Sequence, residues 1–475
     1  MSGARPPILL ITTDELLREA LSLYGNEAVQ TPNIDRLAGQ GTNFTRAYTV
    51  SPWCLPARCS ILTGLFPHNS GAYSNFRKCA LDEGLPNLFT ELKKAGHRTA
   101  MIGKCHFAPV PYDEVRPDRT LPYDEFRDYY LRLGMDHLDL QDDKQVSVWF
   151  YDDYARELDR AGYLEAYRSH VWDKQGKKKV FRFPGPEEWH PDSWVGRKAV
   201  DYIERCAEDM PLFAWVSFSG PHYPFDPPEE YLSLVDMRKD VPRLGREGEF
   251  DDPSRIHHAS FHGPRGIDGC GVAPDGACRN YDGEYWIELR RHYYANVAQI
   301  DREIGKILEA AERRWGDDVL VIFCSDHGEM LGNHGIWGKN NCAYEQVWAI
   351  PLIAKWPGQK RPLTSEALVT NMDIYATCLQ AAGSSAASDG ADLNELADRG
   401  GYRCVFGEGE GFLSVSDGSA KLIHVQQDSG EFDEFYDLAV DPWEYENLIT
   451  RPGYAAKIAE LRAETVKLLM QKALP

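Results

Sequence analysis

Val319-Leu320-Val321-Ile322-Phe323-Cys324-Ser325-Asp326-His327-Gly328 is an apolar run that ends in a carboxylate, an imidazole and a glycine. From Val319 to Cys324 the apolar residues do not alternate with polar ones. A strand there is buried on both faces, as in a parallel sheet covered by helices. A second run, Ile8 to Thr12, ends the same way in Thr13-Asp14-Glu15. Between the two, Cys54-Leu55-Pro56-Ala57-Arg58 offers a thiol, a fixed turn and an arginine. Acidic and imidazole groups at two strand ends, with a candidate nucleophile on a third loop, describe a metal-assisted hydrolytic site.

The pattern repeats outward from these runs. Thr31-Pro32 predicts an N-cap and first-turn proline for a short helix that turns Ile34 and Leu37 inward. Leu85, Leu88 and Leu92 mark a helix ended by Gly96, ahead of a strand from Thr99 to Ile102. A helix from Val195 to Cys206 precedes a strand from Leu212 to Phe218. A long helix from about Tyr285 to Arg314 precedes the Val319 run, and Ile350 to Ala354 is a further strand. Strand and helix alternating in this way predict a large, mostly parallel mixed sheet sandwiched by helices. Such sheets bind ligands beyond the carboxyl ends of their strands. Asp14, Lys104, His222 and Asp326 each follow a predicted strand, so four loops are expected to meet at one edge.

Two stretches break the alternation: 109–191, rich in Tyr, Asp, Arg and Trp, and 225–283, rich in Gly, Pro and His. Both read as long insertions near the sheet edge of a catalytic domain spanning 1–385. The remainder, 386–475, predicts a C-terminal subdomain with a small antiparallel sheet and a helix. Its strands are Val405-Phe406, Phe412 to Ser416, Ala420 to Val425 and Phe435 to Leu438. Turns fall at Asp417-Gly418 and Ser429-Gly430, and the helix runs from about Tyr454 to Lys472.

Composition limits the partners. The chain has 475 residues, 43% hydrophobic and 26% charged, which is ordinary for a protein with a large core. With 73 acidic against 52 basic residues the formal charge is -21, which repels nucleic acid and anionic membranes. An anionic small substrate is still compatible, because a few cations and a metal reverse the sign inside one pocket. No signal-like segment precedes Ile8 and no transmembrane-length apolar stretch follows, so the expectation is a cytoplasmic protein. The 11 cysteines are odd in number and scattered, and read as reduced thiols.

The Cys54 segment continues as Cys59-Ser60-Ile61-Leu62-Thr63-Gly64, and here the chain resembles the sulfatase family of the alkaline phosphatase superfamily. Ordered matches carry the resemblance: Asp14 with Tyr24-Gly25-Asn26, Thr31-Pro32-Asn33-Ile34-Asp35, Cys54 to Gly64, Gly103-Lys104-Cys105-His106, Pro221-His222, Asp326-His327-Gly328 and Trp337-Gly338-Lys339. Tyr436-Asp437-Leu438, Asp441-Pro442 and Glu446-Asn447-Leu448 resemble the family's C-terminal subdomain.

The resemblance implies an alkaline phosphatase-like fold and a sulfuric ester hydrolase of the arylsulfatase kind. It also implies that a formylglycine-generating enzyme oxidises Cys54 to formylglycine. One divalent metal would be held by Asp14, Glu15, Asp326 and His327. Many relatives place Asp or Gln at the position of Glu15 and often Asn at that of His327. Oxygen ligands favour Ca²⁺, the expected ion, or Mg²⁺; the imidazole also admits Mn²⁺ or Zn²⁺. By the same resemblance Arg58 stabilises the aldehyde hydrate, Lys104 and Lys339 clamp sulfate oxygens, and His106 contacts the nucleophilic hydroxyl. His222 faces the leaving oxygen as general acid and Asn75 reaches the substrate. His334, in Gly332-Asn333-His334-Gly335, reads as a loop residue.

The chemistry explains the modification. Hydrated formylglycine is a geminal diol: one hydroxyl attacks sulfur, and deprotonation of the other expels sulfate without a second attack. A cysteine or serine could be sulfated but could not release the product by that route. The nearest alternative is a formylglycine-dependent phosphonate monoester or phosphodiester hydrolase, whose members carry small hydroxyl residues where this chain has Lys104 and His106. A catalytically inactive metal-binding homologue is the other. Aryl, choline and carbohydrate sulfates all fit as substrates. The aromatics Tyr112, Trp149, Tyr151, Trp172, Trp189 and Trp194 offer stacking surfaces for them, although in a chain 12% aromatic such residues more often pack in the core or at the rim, and the insertions could mediate a homo-oligomer.

Overall fold

A computed structural model describes residues 5–471 apart from 77, 117, 172–179, 208, 241–244, 263–282, 340–341 and 428–429. Trp172, Ser429 of the second predicted turn, Lys472 and most of the later part of the 225–283 stretch lie outside the described residues.

The centre is an eight-stranded sheet built from β1 (Ile8–Asp14), β2 (Thr42–Phe44), β3 (Arg98–Gly103), β4 (His137–Leu140), β5 (Leu212–Pro221), β6 (Leu320–Ser325), β7 (Leu352–Lys355) and β8 (Leu363–Ser365). Its order is β8-β2-β7-β6-β1-β5-β3-β4. The central strand β1 pairs parallel with β5 and β6, and β3 pairs parallel with β5 and β4. Only β7 runs against its neighbours β6 and β2. The sheet is therefore the mostly parallel mixed sheet that the alternating pattern predicts. All seven residues of β1 and all six of β6 are buried, the expected state of a strand with helices on both faces.

Register places the site. Ile8 lies opposite Leu320 and Thr13 opposite Ser325, so Asp14 and Asp326 emerge side by side at the carboxyl edge. Five helices matter to it: α1 (Cys54–Thr63), α2 (Lys144–Trp149), α3 (Pro191–Arg205), α4 (Gly283–Trp315) and α5 (Asp373–Ala381). Helices α3 and α4 cover one face of the sheet; α1, α5 and the helix Leu88–Lys94 cover the other.

The 109–191 stretch does more than lie near the sheet. Its segment His137-Leu138-Asp139-Leu140 joins as the edge strand β4, with Leu138 and Leu140 buried and His137 and Asp139 half-buried. Of the aromatics read as stacking surfaces, Trp149 and Trp194 are core residues at 4% and 0% exposure, whereas Tyr112 is 41% exposed. A buried indole packs where the fold needs volume, and composition alone does not separate that from a rim.

Beyond 400, β9 (Val405–Gly409), β10 (Phe412–Ser416), β11 (Ala420–Gln427) and β12 (Gly430–Asp437) form an antiparallel sheet in chain order, and α6 (Ala455–Gln471) packs on it. A buried polar cluster ties this sheet to the main body. Arg255 Nε donates to Glu434 Oε1 at 2.8 Å, and Arg255 Nη2 reaches the hydroxyls of Tyr344 and Tyr436. His334 belongs to the same region, with Nδ1 2.5 Å from Glu249 Oε1 and its ring 4.7 Å from that of Tyr344. Among the described residues no helix is long and apolar enough to cross a membrane.

Candidate active site

Cys54 opens α1, with Trp53 as an extended N-cap residue and Gly64 as a left-handed C-cap. The whole helix is buried, so it points its amide-rich N-terminus at the site rather than at solvent. That end favours negative charge. Asn75 does not project free into the site: its Oδ1 accepts the Leu55 amide at 3.0 Å and so fixes the turn that follows Cys54. Burial first, then the charge of Asp14, push the Cys54 thiol up to about 12.

Around it stand the groups from the strand ends. His327 Nε2 is 3.2 Å and Lys339 Nζ 3.1 Å from Cys54 Sγ. The same imidazole nitrogen is 3.6 Å from both Asp14 Oδ1 and Asp326 Oδ1. Asp14, Cys54, Asp326 and His327 thus form one compact set of metal-ligating types. Glu15 sits beside it in a left-handed conformation, φ 64°, with its amide on Asp326 Oδ1 and its carbonyl on the Tyr293 hydroxyl. A non-glycine residue held there stores strain of about 1–3 kcal/mol. Its Oε2 takes Lys339 at 2.8 Å and His222 Nε2 at 3.1 Å.

The donor set fits a divalent ion. Asp14 Oδ1, Glu15 Oε1 and Asp326 Oδ2 are buried and have no hydrogen-bond partner among the described residues. Burial opposes ionisation of all three carboxyls; Lys104 and His222 nevertheless hold Asp14 well below the usual carboxylate range, while burial and Asp14 raise Asp326 to about 7. Asp326 Oδ2 has the Arg58 guanidinium at 3.5 Å, while Asp14 Oδ1 and Asp326 Oδ1 both lie 3.6 Å from His327 Nε2, and buried carboxylates gathered so closely are costly unless a cation answers them.

The cations come from three places: Lys104 from the end of β3, Arg58 from α1 and Lys339 from the loop beyond β6. Gly103, at φ 103°, ends β3, and a Cβ there would lie 1.9 Å from the Ser217 carbonyl oxygen, so only glycine brings Lys104 into the site. Lys104 Nζ donates to Asp14 Oδ2 and to Asp143 Oδ2, the latter at 2.6 Å. Arg58 is fully buried, with Nε on the Cys105 carbonyl at 2.8 Å, Nη2 on Ser217 Oγ at 2.6 Å and Nη1 3.5 Å from Asp326 Oδ2. Glu329 Oε1 accepts the Gly338 amide at 2.5 Å and so positions the loop that carries Lys339.

The imidazoles of His106 and His222 are buried too. Burial, with Lys104 and Arg58 for one and Lys339 and Lys104 for the other, pushes both well below the ordinary histidine value. His106 adopts φ 50° and leaves Nδ1 without a hydrogen-bond partner among the described residues.

Every site residue picked from the sequence therefore lies in one buried cluster or, for Asn75, on its supporting turn. Sequence reasoning missed Asp142, Asp143 and Lys144, which follow β4. Asp142 Oδ1 accepts the amides of Cys105 and His106 at 3.0 and 2.8 Å. Lys144 Nζ reaches Asp226 Oδ1 at 2.7 Å and the Pro224 carbonyl at 3.3 Å, on the loop after His222. The available signal was the alternation of residues 137–140, which marks a strand and hence a further loop at the same edge.

A family model described as Sulfatase matches residues 6–384. An arylsulfatase of Clostridium perfringens (strain 13 / Type A) is 28% identical over 505 aligned residues, covering 98% of this chain and 94% of its own. An N-acetylglucosamine-6-O-sulfatase of Bacteroides thetaiotaomicron is 25% identical, covering 96% of this chain and 85% of its own. Among solved structures, the phosphonate monoester hydrolase of Agrobacterium radiobacter superposes with a TM-score of 0.79 at 24% identity, covering 98% of this chain and 96% of that one. That likeness shows the alkaline phosphatase-like fold.

Proposed function

The chain belongs to the sulfatase family, and from that premise we propose that it hydrolyses a sulfate monoester at a nucleophile made from Cys54. The observation that carries the proposal is the setting of Cys54. The Cys54 sulfur stands at a buried helix N-terminus, 3.2 Å from His327 Nε2 and 3.1 Å from Lys339 Nζ, where a nucleophile is needed. Hydrated formylglycine at this position would supply one hydroxyl to attack sulfur and a second whose deprotonation releases sulfate. A formylglycine-generating enzyme would read Cys54-Leu55-Pro56-Ala57-Arg58 before folding, since all five residues are buried afterwards.

Asp14, Asp326 and His327, with Glu15 beside them, would hold one divalent ion, Ca²⁺ by the hardness of the oxygen donors, and when bound it supplies positive charge for the sulfuryl oxygens. The chain's own groups do the rest. Lys104 and Lys339 hold nonbridging oxygens in a water-poor pocket, where each such contact is worth about 2–4 kcal/mol in the transition state. Arg58, fixed by two carbonyls and Ser217, keeps the start of α1 in place and faces Asp326. His222 delivers a proton to the leaving oxygen, and the substrate's negative charge favours the imidazolium that this requires. His106 orients the attacking hydroxyl.

The relative named an arylsulfatase, aligned over 98% of this chain, supports an aryl sulfate as the first substrate to try. The test pairs mass spectrometry at position 54 with turnover of an aryl sulfate and of an aryl phosphodiester. An aldehyde at 54 with faster sulfate turnover is expected. Faster diester turnover would move the enzyme to the phosphonate and phosphodiester class; an intact thiol and no turnover of either would mark an inactive homologue.

A further inference from the structure

We propose that Asp143 is a positioning residue for sulfate, one that holds the Lys104 ammonium so that a single N–H is left for a substrate oxygen. The inference rests on the sulfatase reading and adds a residue outside the motifs that carry the family resemblance.

Three consecutive side chains leave the end of β4 for three separate parts of the site. Asp142 takes the Cys105 and His106 amides on one oxygen, and the hydroxyls of Tyr123 and Tyr130 on the other at 2.6 and 2.7 Å. Lys144 grips the loop beyond His222 through Pro224 and Asp226. Asp143, between them, faces Lys104 at 2.6 Å and His222 Nδ1 at 4.0 Å. It is not free to turn. Its Oδ1 caps α2 by accepting the Gln145 amide at 2.8 Å, which leaves Oδ2 fixed in space toward Lys104.

An ammonium has three N–H bonds. Lys104 spends two of them on Asp14 and Asp143, and the third has no partner among the described residues. One carboxylate alone would let the ammonium pivot about a single contact; two fix the direction of the remaining donor. A nonbridging sulfate oxygen carries the partial charge that such a donor pairs with best. The negative charge of Asp143 is not needed for capping, because a neutral asparagine caps equally well. Burying that charge is costly unless the lysine answers it, so the carboxylate serves Lys104.

The test is a double-mutant cycle with Asp143→Asn, Lys104→Ala and the pair. Asp143→Asn keeps the cap and nearly the volume, and replaces the charged acceptor facing Lys104 by a neutral amide group. Two quantities are read: the affinity for inorganic sulfate by calorimetry, which needs no turnover, and kcat and KM on the best aryl ester. Asp143→Asn should weaken sulfate binding and raise KM about tenfold, the size of one charge-assisted hydrogen bond, with a melting temperature lowered by the broken buried pair but still above the assay temperature. In the Lys104→Ala background it should change neither beyond about twofold. Additive losses in the pair, or wild-type sulfate affinity in Asp143→Asn, would overturn the proposal. Failure of the sulfatase reading looks different: the wild type then prefers an aryl phosphonate to the sulfate, and the same cycle run on the phosphonate still judges Asp143.

Discussion

The Lys339 ammonium lies 3.1 Å from the sulfur of Cys54, although 285 positions separate them in the chain. The sheet brings them together, since α1 lies against one face and the Lys339 loop follows β6. Lys339 also reaches Glu15 at 2.8 Å, so one cation joins the nucleophile position to the acidic cluster.

Cys54→Ala should therefore abolish turnover and leave the fold standing. Loss of a covalent nucleophile lowers kcat by about 10⁴-fold or more, while deleting one buried atom costs about 1 kcal/mol of stability. Steady-state kinetics and thermal melting check both halves. Turnover retained by the alanine variant would remove Cys54 from the chemistry.

The buried carboxylates of Asp14 and Asp326, with Glu15 beside them, are expected to need a cation. Chelation should lower both activity and melting temperature, and added Ca²⁺ should restore them. An ion at a hundredfold its Kd stabilises by about 2.7 kcal/mol, a shift of a few degrees. Asp326→Asn should lose that Ca²⁺-dependent rise. A melting temperature indifferent to chelator and to this substitution would contradict the ligand set.

Acid should loosen the junction between the two sheets. His257 packs edge-on to Tyr344 at 5.1 Å. Burial lowers its pKa from 6.5 to about 4, with Arg255 and His334 adding to the effect against Glu434. The unfolded chain takes up this proton near pH 6.5 and the folded chain only near pH 4, so stability present above pH 6.5 is lost as pH falls through that window. The loss amounts to about 3 kcal/mol at most. Urea midpoints measured from pH 7 to pH 4 should show the slope in the wild type and a flatter one in His257→Phe. Equal slopes would place the acid sensitivity in other groups.

Much of this site was legible because the strands announce their own ends. Ile8 to Thr12 and Val319 to Cys324 are apolar runs that stop at an acid, and parallel register does the rest. Asp143 was hidden for a physical reason. Its partner Lys104 is 39 positions away, and its segment reads by composition as an insertion. The direction of β7 was equally silent, since apolar periodicity is the same read forward or backward. Trp149 and Trp194 fall on the core side of the two readings that composition left open, because exposure follows from packing between elements.

His222 tests the proton's route. Its Nδ1 lies 2.7 Å from the Tyr223 carbonyl oxygen, so that nitrogen donates and Nε2 is the one turned to Glu15 and the pocket. A general acid matters in proportion to the basicity of the leaving oxygen. His222→Ala should therefore slow an aryl sulfate with a weakly acidic phenol by about 10²–10³-fold and a nitrophenyl sulfate far less. His106→Ala, if that imidazole orients the attacking hydroxyl as proposed, should slow both alike. Rates across a series of substituted phenyl sulfates give the answer as a slope against phenol pKa. A slope unchanged by His222→Ala would move proton delivery to another group in the cluster.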